Sequence, residues 1–385
     1  MKKVYWRPRA VSRLALVLIA ALSVTGLVGV EYDHRHSNVR QPNYDQKLAA
    51  ATLASRCMAL VKRDRLKRGY EIDPNIDPAE SGLVGVAFSP VTSVSGHLPS
   101  KRASINPNFA AVIYEFLIEA GVRQGDVVAV GYSGSFPAIN ICVLAALETL
   151  DARPIGISSA ASSQWGANLP DFLWLDMEEA LFDEGLVSTR SVAASLGGVE
   201  DRGVGMTAES REALLAGIER TELPLLRAGT FTASIDSRMA MYKKAAGGER
   251  IQAYINVGGG TVSVGRKVGK KELQVGVNTS LPPAIRRQDS VAARFIKDGV
   301  PVIHLARILQ LAKRFGMPTG QLHELPDEGL GYAFFRTQYN RLLTGGVLIG
   351  IVASLYAFIR SDWGFRLFQT TAHRKEAADH PEPMV

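Results

Sequence analysis

The sequence predicts an α/β fold: a mainly parallel sheet with flanking helices, set between one N-terminal and one C-terminal transmembrane helix. Three observations lead there. Short runs rich in Val, Ile and Ala, at residues 83–88, 126–130, 154–158, 251–257 and 300–303, alternate with longer helical patterns. Residues 14–30 and 342–359 are apolar, uncharged and each about as long as a helix that crosses a hydrocarbon core. The 385-residue chain is 46% hydrophobic and 21% charged, a balance that suits a packed globular protein and argues against disorder.

The first apolar stretch follows Lys2, Lys3, Arg7, Arg9 and Arg13 and precedes Glu31 and Asp33. The positive-inside rule then places residues 1–13 in the cytoplasm, and a second crossing returns residues 360–385 there. Backbone in lipid must pair internally, so both stretches are expected as helices. In the second, Gly346-x-x-x-Gly350 offers a small face for a neighbouring helix. A cleaved signal peptide is the alternative for the first, although its apolar core would be shorter, and only a poor cleavage site lies near Gly29. Either reading leaves residues 31–341 as an extracytoplasmic α/β domain. The net charge of +7 resides mostly in the basic flank, so no nucleic-acid partner is expected.

Residues 44–67 read as a helix with Leu48, Ala51, Ala54, Ala59 and Leu60 on its apolar positions, stopped by Gly69. Its basic end, Lys62 to Arg68, is either a solvated terminus that complements the helix dipole or a dock for anionic lipid or polymer. After the strand at 83–88, Asn106 as N-cap and Pro107 at the first position open a helix carrying Phe109, Val112, Ile113, Phe116 and Leu117, which Gly121 closes. The strand at 126–130, the helix at 138–150 and the strand at 154–158 form a βαβ unit. Helices at 171–183 and 208–220, the strand at 251–257, and the strand at 300–303 leading into a helix that ends at Gly316 complete the alternation. Residues 197–205 and 246–248 are candidate subdomain hinges. Cys57 and Cys142 make no disulfide framework; they are buried thiols or one disulfide.

The strongest local feature is Gly131-Tyr132-Ser133-Gly134-Ser135, between a strand and a helix. Strand carboxyl ends are where open α/β sheets bind ligands, and a helix N-terminus favours anions. Ser133, Gly134 and Ser135 therefore form a candidate cradle for phosphate or carboxylate, with Ser158, Ser159, Ser162 and Ser163 after the next strand on the same edge. Read as a nucleophile elbow, the loop makes Ser133 a nucleophile with His304 as its base, although Ser135 stands where the second glycine belongs. Gly258-Gly259-Gly260-Thr261 is a second candidate ligand loop or a tight hairpin. The run is not GxGxxG, and residues 261–264 read as a strand rather than a helix, which argues against a dinucleotide site. Asp176, Glu178 and Glu179 share one helix, as a cation or acid–base site or as a solvated face. No His/Cys cluster has zinc spacing, and no metal or cofactor is expected.

The runs GDVVAVGYSGSFPAINICVLAALETL (125–150), ISSAASSQWGAN (157–168), WLDMEEAL (174–181), SLGGVEDRG (195–203) and YINVGGGTVSVG (254–265) resemble the bacterial poly-gamma-glutamate system protein family. The resemblance covers roughly residues 44–326, with the motifs in order. It implies an accessory component of polymer synthesis or export, partnered by the pathway's other membrane components, whose domain meets the anionic polymer. It carries over no catalytic residue. Residues 133–159 are also similar to the sugar-isomerase type of phosphosugar-binding domain, which places a Ser/Gly loop before a helix. Two other readings stay open: an extracytoplasmic serine hydrolase or amidase that trims or releases the polymer, and a membrane scaffold without a ligand site.

Overall fold

Six strands pair into the central sheet of the computed structural model, which describes residues 13–360 and the side chains of residues 17–357. In chain order they are β1 (Val127–Ser133), β2 (Arg153–Ser159), β3 (Ala193–Ser195), β4 (Ile251–Val257), β5 (Gly276–Asn278) and β6 (Val302–Leu305). Their spatial order is β5-β6-β4-β1-β2-β3. All neighbours are parallel except β5 and β6. The chain starts in the middle at β1, lays β2 and β3 on one side, then crosses to the other side for β4.

The sheet is buried on both faces, as parallel sheets generally are. Side chains alternate across a strand, so Val128 and Val130 face one core while Val127 and Ala129 face the other. The first core receives α1 (Tyr44–Lys67), α2 (Phe109–Glu119), α3 (Pro137–Leu150) and α4 (Trp174–Asp183). The second receives α5 (Phe231–Ala246) and α6 (Val291–Lys297), with Tyr242, Tyr254 and Phe295 stacked or tilted against one another. Full burial of this many aliphatic and aromatic side chains, at roughly 1.5–3 kcal/mol each, is the dominant favourable term.

Several local expectations are corrected. Leu83, Val84 and Gly85 are buried and Val86 is half-buried, but the four join no sheet. Their backbone is satisfied sideways: Gly85 N–H donates to Trp165 O (3.2 Å), and Val86 exchanges two hydrogen bonds with the Asn168 side chain. An apolar run shows burial, not pairing. The helix expected after Asn106 starts later, at Phe109, because Asn106 Oδ1 turns back to accept from the Asn108 N–H (3.0 Å). Residues 261–264 form a short helix, Thr261–Val264, and not the strand of a hairpin. The loop at 197–205 lies inside the compact unit Gln41–Phe335. Cys57 and Cys142 are free, buried thiols, and burial raises the pKa of Cys57 to about 12.

The terminal segments, through Arg40 and from Arg336, form a separate compact unit. Its helices Arg13–His36 and Arg341–Arg360 pack at Gly26, where an added Cβ would lie 2.5 Å from Val347 Cγ1. His34 stacks on Tyr339 with centroids 3.9 Å apart. The small face expected at Gly346 and Gly350 meets nothing within 4 Å; the intrachain contact uses Gly26 instead. Among the described residues, one helix is long and apolar enough to cross a membrane, Val17–His36, either as an anchor or as a signal sequence. Arg341–Ala357 is an apolar helix of shorter length, so the second span is not established. The flanks assigned to the cytoplasm, residues 1–13 and 360–385, lie almost wholly outside the described residues.

Candidate functional site

Between β1 and β4 the chain reverses its direction of progress across the sheet. Loops leaving two such strands diverge to opposite faces and open a crevice at their carboxyl ends. Here the loops are Ser133–Phe136, leading into α3, and Gly258–Gly260, leading into Thr261–Val264. A cavity of about 260 Å³ sits at this place, lined by Ser133, Ser135, Phe136, Ser159, Ser163, Gly259, Gly260, Thr261, Ser263 and Lys270, and closed by Ser93–Ser95 and Gly198–Asp201.

The first loop is held in shape by its own polar groups. Ser133 Oγ accepts from the Ser135 N–H (3.2 Å), and Ser135 Oγ accepts from the Ser163 N–H (3.0 Å). Asn140, fully buried on α3, donates from Nδ2 to Ser133 O (2.9 Å), while its Oδ1 faces the Ser133 N–H at 3.4 Å. Gly134 supplies close approach: its carbonyl accepts from Ser162 Oγ (2.9 Å) and from the Ala167 N–H (2.8 Å). In the second loop, Gly258 takes φ 81°, a conformation that favours glycine, and sits against the Ser133 side chain. Thr261 Oγ1 accepts from the Glu200 N–H (2.9 Å), which ties this loop to the 197–205 segment.

Charge enters from three residues that the sequence reading did not single out. Arg238 on α5 is buried beneath the site; its Nη2 donates to Ser159 Oγ (3.2 Å) and Ser195 Oγ (2.9 Å), and its Nε to Asp201 Oδ2 (2.5 Å). Burial works to lower its pKa, but the charge and hydrogen bonds of Asp201 outweigh this and the net shift is upward. Lys270 runs past Gly259 to the cavity, where partial desolvation lowers its pKa. Among the described residues it has no ion-pair partner. Lys101, in the short helix Leu98–Ser104, is 3% exposed. Its Nζ donates to Ser135 O and Ser163 Oγ (2.9 Å) and lies 4.0 Å from the Phe136 ring centroid. Burial lowers the Lys101 pKa to about 7.

The structure thus brings Ser133, Ser135, Ser159, Gly259, Gly260 and Thr261 to one cavity, with Gly134 and Gly258 in its supporting backbone. Two expected residues lie elsewhere. Ser158 points to the opposite face of β2, where its hydroxyl meets Ser191 Oγ (2.7 Å), the Trp174 indole N–H (3.0 Å) and Glu178 (3.4 Å). The period of two in a strand makes this unavoidable once Ser159 faces the site. His304 is buried on β6, with Nδ1 3.0 Å from Asn256 Nδ2, and burial lowers its pKa to about 4. It is level with Asn256 and Gly131, two strands from β1, a lateral offset of roughly 9–10 Å from neighbouring-strand spacing. No Ser133–His304 pair is assembled.

The acidic helix and the basic helix end are also accounted for. Asp176 accepts from the Leu173 N–H (2.7 Å) and from Arg220 (2.7 and 2.9 Å). Glu179 pairs with Arg190 (2.9 Å), and Glu178 is buried, so the three carboxylates serve three separate partners. Among the described residues no group of three His, Cys, Asp or Glu is arranged to hold a metal ion. In the run 62–68, Arg65 is buried against Gly82 O and Val84 O, while Arg63 and Arg68 pair with Glu184 and Asp64. Comparisons with protein-family models, curated proteins and solved structures find no match to this chain.

Proposed function

We propose that this protein is a membrane-anchored accessory component of bacterial poly-gamma-glutamate synthesis or export, whose α/β domain binds the anionic polymer or a precursor at the β1–β4 crevice. The family resemblance suggests the pathway. The observation that carries the binding reading is the cavity itself, at strand carboxyl ends, with eight serine and threonine residues in its lining and the unpaired Lys270 ammonium beside them. Hydroxyls and main-chain N–H groups donate to carboxylates, and a cation supplies charge-assisted bonds about twice as strong as neutral ones. Partners would be the other membrane components of the pathway, and the domain would face the extracytoplasmic side.

Calorimetric titration with poly-gamma-glutamate and with short gamma-glutamyl peptides tests the binding reading. Lys270→Ala and the Ser133→Ala, Ser135→Ala double variant are expected to weaken binding about tenfold or more, equivalent to about 1.4 kcal/mol. Affinity equal to that of the unaltered protein in both variants, with circular dichroism unchanged, would show the site assignment to be wrong.

A further inference from the structure

We propose that Ser163 and Lys101 form a serine–lysine pair, Ser163 as nucleophile and Lys101 as its general base, acting on an ester or amide carbonyl presented in the β1–β4 cavity. The inference rests on that cavity being a ligand site and adds a chemistry to it. A nucleophilic serine needs a base within hydrogen-bond reach, and lysine fills that role in some hydrolases that lack histidine. Lys101 Nζ lies 2.9 Å from Ser163 Oγ. Ser163 and Ser135 line the cavity, whereas Lys101 does not and is almost fully buried, so the base lies on the protein side of the pair.

The surroundings of Lys101 favour a neutral amine. Its neighbours are the Ser135 carbonyl, the Ser163 hydroxyl and the Phe136 ring, and among the described residues no carboxylate pairs with it. The nearby charges are Lys270 on the cavity rim and the Asp201–Arg238 pair, which neutralise each other. An unpaired ammonium in an apolar interior is costly, and the group deprotonates instead. When Lys101 loses its proton, the amine still donates to Ser135 O, and the bond to Ser163 reverses: the hydroxyl donates to the nitrogen lone pair instead of accepting from it. His304, by contrast, spends its Nδ1 on Asn256 and reaches no cavity serine.

In the acylation step, Ser163 Oγ bonds to the carbonyl carbon while its proton passes to Lys101 Nζ. The tetrahedral adduct collapses with cleavage of the C–N or C–O bond, and Lys101 returns the proton to the leaving amine or alkoxide. Water, activated by the same amine, then hydrolyses the acyl-Ser163 ester and regenerates the hydroxyl. Lys270, on the same cavity, opposes the charge that develops on the carbonyl oxygen.

The test is labelling of the full chain in detergent with a fluorophosphonate, followed by peptide mapping. The adduct is expected on Ser163, with a labelling rate that rises through about pH 7 as Lys101 deprotonates. Ser163→Ala should abolish it. Lys101→Met and Lys101→Arg should each slow it by about 100-fold, the lower end of general-base contributions. An adduct on Ser133 or Ser135, no adduct on folded protein, a flat pH profile, or normal labelling of both Lys101 variants would overturn the assignment. Because the probe is not the polymer, the two readings separate: labelling without polymer binding removes the polymer reading alone, and binding without labelling removes the serine–lysine pair alone.

Discussion

At the scale of single residues, three buried ionisable groups, Lys101, Glu178 and His304, contribute to the pH dependence of stability. Burial lowers Lys101 from 10.5 to about 7. Between those values the unfolded chain binds the extra proton, so stability rises with pH. Lys101→Met should flatten the urea-denaturation midpoint between pH 7 and pH 10. Burial raises Glu178 from 4.5 to about 7, against hydrogen bonds from Ser191 and Ser158. Here the folded chain binds the extra proton, and stability falls as pH rises through that range. His304, lowered from 6.5 to about 4, gives the opposite slope between those values. Glu178 and His304 therefore offset each other from about pH 4.5 to 6.5. Glu178→Gln removes the falling limb; stability of the variant should rise with pH across that window. At pH 8 the variant should gain up to roughly 3 kcal/mol relative to its effect at pH 4.5, from about 1.36 kcal/mol per pH unit.

At the scale of elements, the site depends on how closely two strands and their loops approach. Gly131 is central in β1, and a Cβ there would lie 2.7 Å from the Tyr254 hydroxyl oxygen on β4. Gly131→Ala should cost about 1–3 kcal/mol by overpacking. Adding Tyr254→Phe removes the oxygen that is struck and should recover much of the loss, which a double-mutant cycle from urea denaturation would measure. If the second change adds to the first, the clash is not the cause. Asn140 is the other positioning group, because it clamps both polar atoms of the Ser133 backbone. Asn140→Ala leaves the part-buried Ser133 carbonyl with only the Phe136 N–H (3.2 Å), and a cost of about 1 kcal/mol in stability is expected.

At the scale of the whole molecule, two compact units divide the work. Residues 41–335 contain the sheet, both cores and the cavity. A chain of these residues alone should fold, remain soluble without detergent and give an α/β circular dichroism spectrum. The full chain should sediment with membranes and resist alkaline carbonate extraction, because Val17–His36 is apolar enough to cross a membrane and only 6% of its apolar window is buried. Release of the full chain by carbonate would count against the anchor reading.

Much of this architecture was legible in local sequence. Periodicity located the helices 44–67 and 208–220 and the strand 251–257, because a helix face or a strand face repeats within a few residues. The Ser133 and Gly258 loops were legible as strand-end turns for the same reason. The alternation along β2 would also have separated Ser158 from Ser159, had it been applied to that pair. Strand order was not legible. Pairings such as β1 with β4 join residues more than a hundred positions apart, and no local pattern encodes which edge a strand chooses. That order alone created the crevice and decided what faces it. It placed His304 two strands away, and helix packing buried Lys101, which reads in sequence like any surface lysine, behind Ser163. Burial of a charge depends on what the distant chain lays over it, so the apolar pattern determined the α/β class while tertiary contacts decided which groups can do chemistry.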